Sequence, residues 1–112
     1  AVIRRQAEGF TEAKDRLPEL AKLVNQRDWT FTRNLIHGPM QEVGREMLYI
    51  NQRLLPQDRA AANELATALK EALADLDEAA RLQDGARLQK AYVAVATGFS
   101  NYEQVIPAQA LS

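Results

Sequence analysis

The sequence has no cysteine, one histidine and two serines among its 112 residues. Without cysteine, disulfide scaffolds, thiolate nucleophiles, iron–sulfur clusters and thiolate zinc sites are excluded. One histidine cannot supply several catalytic roles, and neither serine lies in a G-x-S-x-G turn. The glycines are isolated from one another, so there is no phosphate-binding loop. We therefore predict that the protein is not an enzyme and holds no cofactor.

The sequence also lacks a large net charge and long apolar runs. The 14 Lys and Arg residues against 15 Asp and Glu residues leave a net charge of -1, which argues against a nucleic-acid partner. The apolar runs are a few residues long, whereas a membrane-spanning helix needs about 20. No signal-peptide pattern opens the sequence, so we expect any targeting segment or lipidated residue to lie upstream of Ala1.

What the sequence does contain is helical periodicity. Alanine, leucine, glutamine, glutamate and arginine dominate, and all are good helix formers. Apolar residues recur at intervals of three, four and seven in four successive stretches, which predicts helices over about 2–25, 29–54, 58–83 and 86–106. The clearest stripe consists of Trp29, Ile36, Met40, Val43, Met47, Ile50 and Leu54.

Local signals predict where these helices begin, bend and end. Asp28 is a predicted N-cap, and Pro56 ends the second helix because the residue before a proline avoids the α region. Pro39 lies inside that helix and predicts a kink, while Pro18 predicts either a first-turn proline or a kink. We expect Gly85 to take the left-handed conformation that closes the third helix.

Four long stripes with short connections indicate sequential antiparallel packing. The lowest-cost arrangement is an all-α, up-and-down four-helix bundle whose axes cross at roughly 20°. No stretch has the composition of a linker, so we expect one domain over 1–112.

His37 is the residue on which any metal site would depend. Met40 and Met47 lie on the same predicted helix, so they cannot face His37 across a haem. Asn34 stands where a di-iron Glu-x-x-His motif needs glutamate. A surface zinc that His37 shares with Glu42, or with a carboxylate of a neighbouring molecule, stays open, but the several ligands it needs are not visible. We predict no metal site.

Four residues are candidates for binding a partner: Arg4, Arg5, Trp29 and His37. The two arginines begin a modest basic segment that could meet an acidic partner, or could be ordinary solvated charge. A tryptophan that opens a core stripe usually anchors the end of a bundle, and it could also touch a partner. The basic segment continues with Lys14, Arg16 and Lys22.

Several short motifs occur in an order that resembles the PsbQ family, and most closely its cyanobacterial branch, CyanoQ. The resemblance extends from about Phe10 to Pro107. The motifs are Arg27-Asp28-Trp29, Ile36-His37-Gly38-Pro39-Met40, Leu54-Leu55-Pro56-Gln57-Asp58, the stretch from Tyr92 through Tyr102, and Ile106-Pro107.

This resemblance implies a four-helix extrinsic subunit on the lumenal side of the thylakoid membrane. Its expected partners are the photosystem II core and other extrinsic subunits, and its expected role is to stabilise the oxygen-evolving centre without ligating it. Cyanobacterial members look like lipoproteins, which implies peripheral membrane association through an anchor upstream of Ala1. Some members bind surface zinc, which His37 could join. The alternative is a generic helical interaction module unrelated to photosynthesis.

Overall fold

The computed structural model describes residues 3–111, and within them the chain forms helices and no strand. The predicted all-α class is confirmed. The predicted helix start at residue 2 and the domain limits at 1 and 112 lie outside the described residues. The helices are α1 (Arg4–Lys14), α2 (Leu17–Asn25), α3 (Trp29–His37), α4 (Val43–Gln52), α5 (Pro56–Arg81), α6 (Gly85–Glu103) and α7 (Ala108–Leu111).

The helices pack as the four arms of an up-and-down bundle. α1 and α2 make the first arm, α3 and α4 the second, and α5 and α6 are the third and fourth. The first arm packs on the second, the second on α5, α5 on α6, and α2 on α6, which closes the ring; α7 folds back against α1. The described residues extend over 41 × 23 × 17 Å. The predicted four-helix bundle is therefore confirmed, with two of its arms broken.

The breaks in the first two arms lie beside prolines. Pro18 lies in the first turn of α2, where its missing amide costs little. In the second arm the expected kink is a complete interruption over 38–42. Pro39 has no amide for the carbonyl of Leu35, and the amide of Met40 takes its place in a hydrogen bond of 3.2 Å. The proline thus shifts the chain without leaving that carbonyl unpaired.

Two turns at one end of the bundle have the same construction. A residue of positive φ stands two positions after the end of α2 and of α5, namely Arg27 at 51° and Gln83 at 56°. In each turn the next amide, of Asp28 or Asp84, donates to the carbonyl five residues earlier, at 3.0 and 2.9 Å respectively. This is the Schellman arrangement. Both aspartates then cap the following helix through Oδ1, so the predicted N-cap at Asp28 is confirmed.

The prediction for Gly85 was wrong. Gln83 takes the left-handed conformation, and Gly85 is the first residue of α6. A Cβ at Gly85 would lie 2.3 Å from Nε of Arg27. The guanidinium group from the other turn therefore lies against Gly85, and a side chain at that position would have to displace it.

The core runs the length of the bundle. The ring of Phe10 lies 5.3 Å from that of Phe99 and 5.1 Å from that of Tyr102, centroid to centroid, which joins the first and fourth arms. The stripe predicted for the second arm is buried from Ile36 to Leu54, while Trp29 is half-buried. Helical periodicity therefore identified the core face of that arm.

Candidate partner-binding surfaces

The four candidate residues do not form one surface. The first arm places Arg4 and Arg5 at one end of the bundle and the α2–α3 turn at the other. The helical rise over its length separates the two ends by about 30 Å. Trp29 and His37 line one groove together. Arg5 lines a different cleft, and Arg4 is exposed at the same end as Arg5.

The first surface is a groove of about 290 Å³ between α3 and the last turns of α5, which we name the α3–α5 groove. Trp29 lies at the end of the groove next to the α2–α3 turn, where it is half-buried and packs against the core, as expected of an anchor. His37 lies at the other end of α3 and is exposed. The groove is lined by Trp29, Thr30, Arg33, Asn34, His37, Ala80, Arg81 and Gln83.

The cations of the α3–α5 groove are neutralised by carboxylates of α5. Nε of Arg33 donates to Oδ1 of Asp77 at 3.0 Å, and Nε2 of His37 lies 2.9 Å from the same oxygen. Arg81 makes two hydrogen bonds of 2.7 Å to the carboxylate of Glu78. The Arg81 hydrogen bonds lower the pKa of Glu78, so that carboxylate stays ionised. Little positive charge is left for a partner.

The second surface lies at the opposite end, around a cleft of about 250 Å³ between α1 and α4. Arg45 and Tyr49 line the cleft from α4, and Arg5 lines it from α1. Arg53 follows one turn after Tyr49, with its guanidinium carbon 5.9 Å from the centroid of the tyrosine ring. We name these four residues, Arg5, Arg45, Tyr49 and Arg53, the arginine–tyrosine surface. Tyr49 is 44% exposed, although it is a large aromatic residue.

The guanidinium groups of this surface are less well paired than those of the groove. Nε of Arg45 lies 3.5 Å from Oε2 of Glu42, and both side chains are well exposed. Within residues 3–111, no carboxylate lies within 4.0 Å of the guanidinium groups of Arg5 or Arg53. Arg53 instead stacks near Tyr49 in a cation–π contact. Two positive charges are therefore available here.

Glu46 lies in the same cleft, half-buried against the backbone of α1. A Cβ at Gly9 would lie 1.8 Å from Oε2 of Glu46, so the carboxylate occupies the space that the glycine leaves. Burial, with repulsion from Glu42 and Glu12, raises the pKa of Glu46 to about 7. Near neutral pH this carboxylate is therefore only partly ionised.

The sequence pointed to Arg4 and Arg5 but not to Arg45, Tyr49 or Arg53. A signal was present, because arginines stand four residues before and after a tyrosine within the helix predicted over 29–54. Residues spaced by four share a helix face. This face lies opposite the buried stripe of α4 and is therefore exposed to solvent. The position of Tyr49 between two arginines on that face could have marked it as a candidate surface.

In the part of the chain from Ile3 to Leu111, no three or more histidine, aspartate and glutamate side chains come together in a way that could hold a metal ion. Over the same range, no helix combines the length and apolar character that crossing a bilayer requires.

Comparison with known proteins gives a match over nearly the whole chain. A family model described as PsbQ, oxygen evolving enhancer protein 3, matches residues 2–107. The chain is also similar to CyanoQ from Synechocystis sp., with 31% identity over 88 residues that make up 79% of this chain. The matched part is 59% of that relative's length, so the chain spans less than two thirds of it.

Proposed function

The chain belongs to the PsbQ family, and we propose that it is an extrinsic subunit of photosystem II that binds on the lumenal side of the thylakoid membrane and stabilises the oxygen-evolving centre. The observation that carries this proposal is the extent of the family match. Residues 2–107 include all of α1 to α6, so the match covers the four arms of the bundle and not one local motif.

The mechanism that we propose is non-catalytic. A bundle with a continuous core offers rigid outer faces, which bind without a large cost in conformational entropy. Docked on lumenal surfaces of the core and of other extrinsic subunits, such a bundle would cover protein near the oxygen-evolving centre. It would thereby slow the exchange of water, calcium and chloride. Membrane association in this proposal is peripheral, through these protein contacts and through any lipid anchor carried upstream of Ala1.

Reconstitution tests the proposal. Photosystem II particles stripped of their PsbQ-family subunit would be mixed with increasing amounts of the purified chain, and oxygen evolution would be measured at limiting calcium and chloride. We expect a saturable increase. We also expect the increase to disappear when both ions are in excess, because retention of the ions is then no longer limiting.

Two results would count against this function. One is an unchanged rate of oxygen evolution although the chain sediments with the particles, which would remove the stabilising role. The other is the absence of the chain from sedimented particles, together with capture of soluble partners, which would favour a generic interaction module.

A further inference from the structure

The two surfaces at opposite ends of the bundle differ in how their positive charges are used. In the α3–α5 groove, Arg33 and Arg81 each bond a carboxylate of α5 at 3.0 Å or less. In the arginine–tyrosine surface, Arg5 and Arg53 have no such partner within residues 3–111. A guanidinium that is already paired has less to gain from a second carboxylate, so an acidic partner would gain more at the arginine–tyrosine surface.

We propose that the arginine–tyrosine surface is the face through which this chain docks on a carboxylate-rich protein surface. The proposal rests on the proposed function for the source of that surface, the lumenal side of photosystem II. Arg53 lies over the exposed ring of Tyr49, and Arg5 lines the same cleft as that ring; each guanidinium group can bind a carboxylate through two parallel hydrogen bonds. Tyrosine and arginine are also among the residues that most often carry binding energy at protein interfaces.

The exposed apolar residues near this surface favour a protein over a lipid bilayer. Leu48 and Leu55 are 55% and 61% exposed, but Gln52 and Arg53 lie between them. A helix that lies in a membrane interface needs a continuous apolar face. The continuous apolar stripe of α4 is buried in the bundle core, so it is not available to lipid.

The surface also has the arrangement of a small interface centre. Tyr49 makes a cation–π contact with Arg53, just beyond the end of α4, and shares its cleft with Arg5 of α1. A ring that already stacks with Arg53 has less side-chain freedom to lose when a partner covers it. Leu48 precedes Tyr49 in the sequence and Leu55 follows Arg53 by two residues; both are exposed apolar residues, which a partner could cover as it excludes water.

The test compares two double variants of equal charge change. One is Arg5→Gln with Arg53→Gln; the control is Lys22→Gln with Lys90→Gln, which removes two exposed charges elsewhere on the bundle. Sedimentation with stripped photosystem II particles would give the affinity of each. We expect at least a tenfold loss for the arginine variant and less than a twofold loss for the lysine variant. Tyr49→Ala should also weaken binding by at least tenfold, although it changes no charge.

Equal losses in the arginine and lysine variants would overturn the proposal and leave the proposed function standing, because the wild type would still bind. Circular dichroism and thermal melting of each variant would show that binding is compared between folded proteins. All the substituted residues are exposed, so we expect the variants to fold.

A second experiment uses a hexaglutamate peptide and the 15N-labelled chain. We expect NMR shift changes centred on residues 5, 45, 49 and 53. Shifts centred on the α3–α5 groove, or spread evenly over the basic residues, would overturn the proposal. If the wild type does not bind the particles, the proposed function is wrong. The peptide experiment then tests by itself whether the arginine–tyrosine surface binds carboxylates. Binding to phosphatidylglycerol vesicles without any response to the peptide would also overturn it.

Discussion

The hydroxyl group of Tyr102 on α6 donates a hydrogen bond of 2.5 Å to Oδ1 of Asn51 on α4, inside the bundle. Nδ2 of Asn51 in turn donates to Oδ1 of Asn63 on α5 at 2.8 Å. Three arms are thereby joined by one chain of polar side chains. Burial raises the pKa of the Tyr102 hydroxyl, which keeps it protonated as a donor.

Replacing Tyr102 with phenylalanine would remove this donor and leave the buried oxygen of Asn51 without it. We expect Tyr102→Phe to lower the free energy of unfolding by about 1–3 kcal/mol, because an unsatisfied buried polar atom pays its full desolvation cost. Urea denaturation would measure the loss. Tyr92→Phe is the matched control. Tyr92 is half-buried and its hydroxyl makes no hydrogen bond within residues 3–111, so removing that hydroxyl should lower the free energy of unfolding by less. Equal losses would contradict this role for the Tyr102 hydroxyl.

Glu46 should make the stability of the bundle depend on pH. Its pKa is about 7 in the folded chain against the usual 4.5, so the folded chain retains a proton that the unfolded chain releases. Stability should therefore fall as the pH rises from about 4.5 to about 7, and it should stay low above that range. We expect Glu46→Gln to be more stable than wild type at about pH 8 by about 1–2 kcal/mol, discounted for solvent screening, and equally stable at about pH 4.

Denaturation across this pH range would measure the effect of Glu46, with Glu71→Gln as an exposed control that should follow the wild-type profile. Gly9→Ala gives an independent check. The added Cβ must displace the carboxylate of Glu46 toward solvent, so the pH dependence should weaken although Glu46 is still present. If wild type and Glu46→Gln gave parallel profiles, burial of this carboxylate would not control stability.

Two helical glycines should respond oppositely to the same substitution. A Cβ at Gly98 would lie 3.2 Å from Cβ and 3.3 Å from Cα of Leu69, where α5 and α6 pack closely. At Gly44 its nearest neighbour would be the flexible side chain of Lys70, at 3.6 Å. We expect Gly98→Ala to destabilise the fold by about 1–3 kcal/mol through overpacking. Gly44→Ala should stabilise it by up to about 1 kcal/mol through helix propensity. Thermal melts would measure the melting temperature of each variant. Equal shifts in melting temperature would contradict the close packing of α5 and α6 at Gly98.

Gln83 offers a test of backbone conformation. Its φ of 56° lies in the left-handed region, where a Cβ costs about 1 kcal/mol. We therefore expect Gln83→Gly to raise the free energy of unfolding by up to about 1 kcal/mol. The same change at Gln89, an exposed position within α6, should lower it by about 1 kcal/mol. Chemical denaturation of both variants checks the opposite signs, and a loss at both positions would argue against a strained turn.

The resemblance to the PsbQ family is confirmed by the family match, and the sequence predicted the four-arm architecture correctly. These predictions succeeded because they rest on local chemistry. Helical periodicity, the cap at Asp28 and the effect of Pro39 depend on neighbours within about one helical turn. Gly85 shows the limit of such reasoning, because the left-handed residue is Gln83, and the space beside Gly85 is occupied by Arg27 from a turn far away in the sequence.

The candidate surfaces depended on the tertiary structure for the same reason. The sequence named Arg5 and His37 as similar candidates, but folding brings His37 to Asp77 and places Arg5 in the same cleft as Tyr49. The sequence alone determined which residues are helical and which face of each helix is apolar. Only the tertiary structure decided which charges are paired and which carboxylate is buried, since pairing and desolvation depend on groups contributed by other helices.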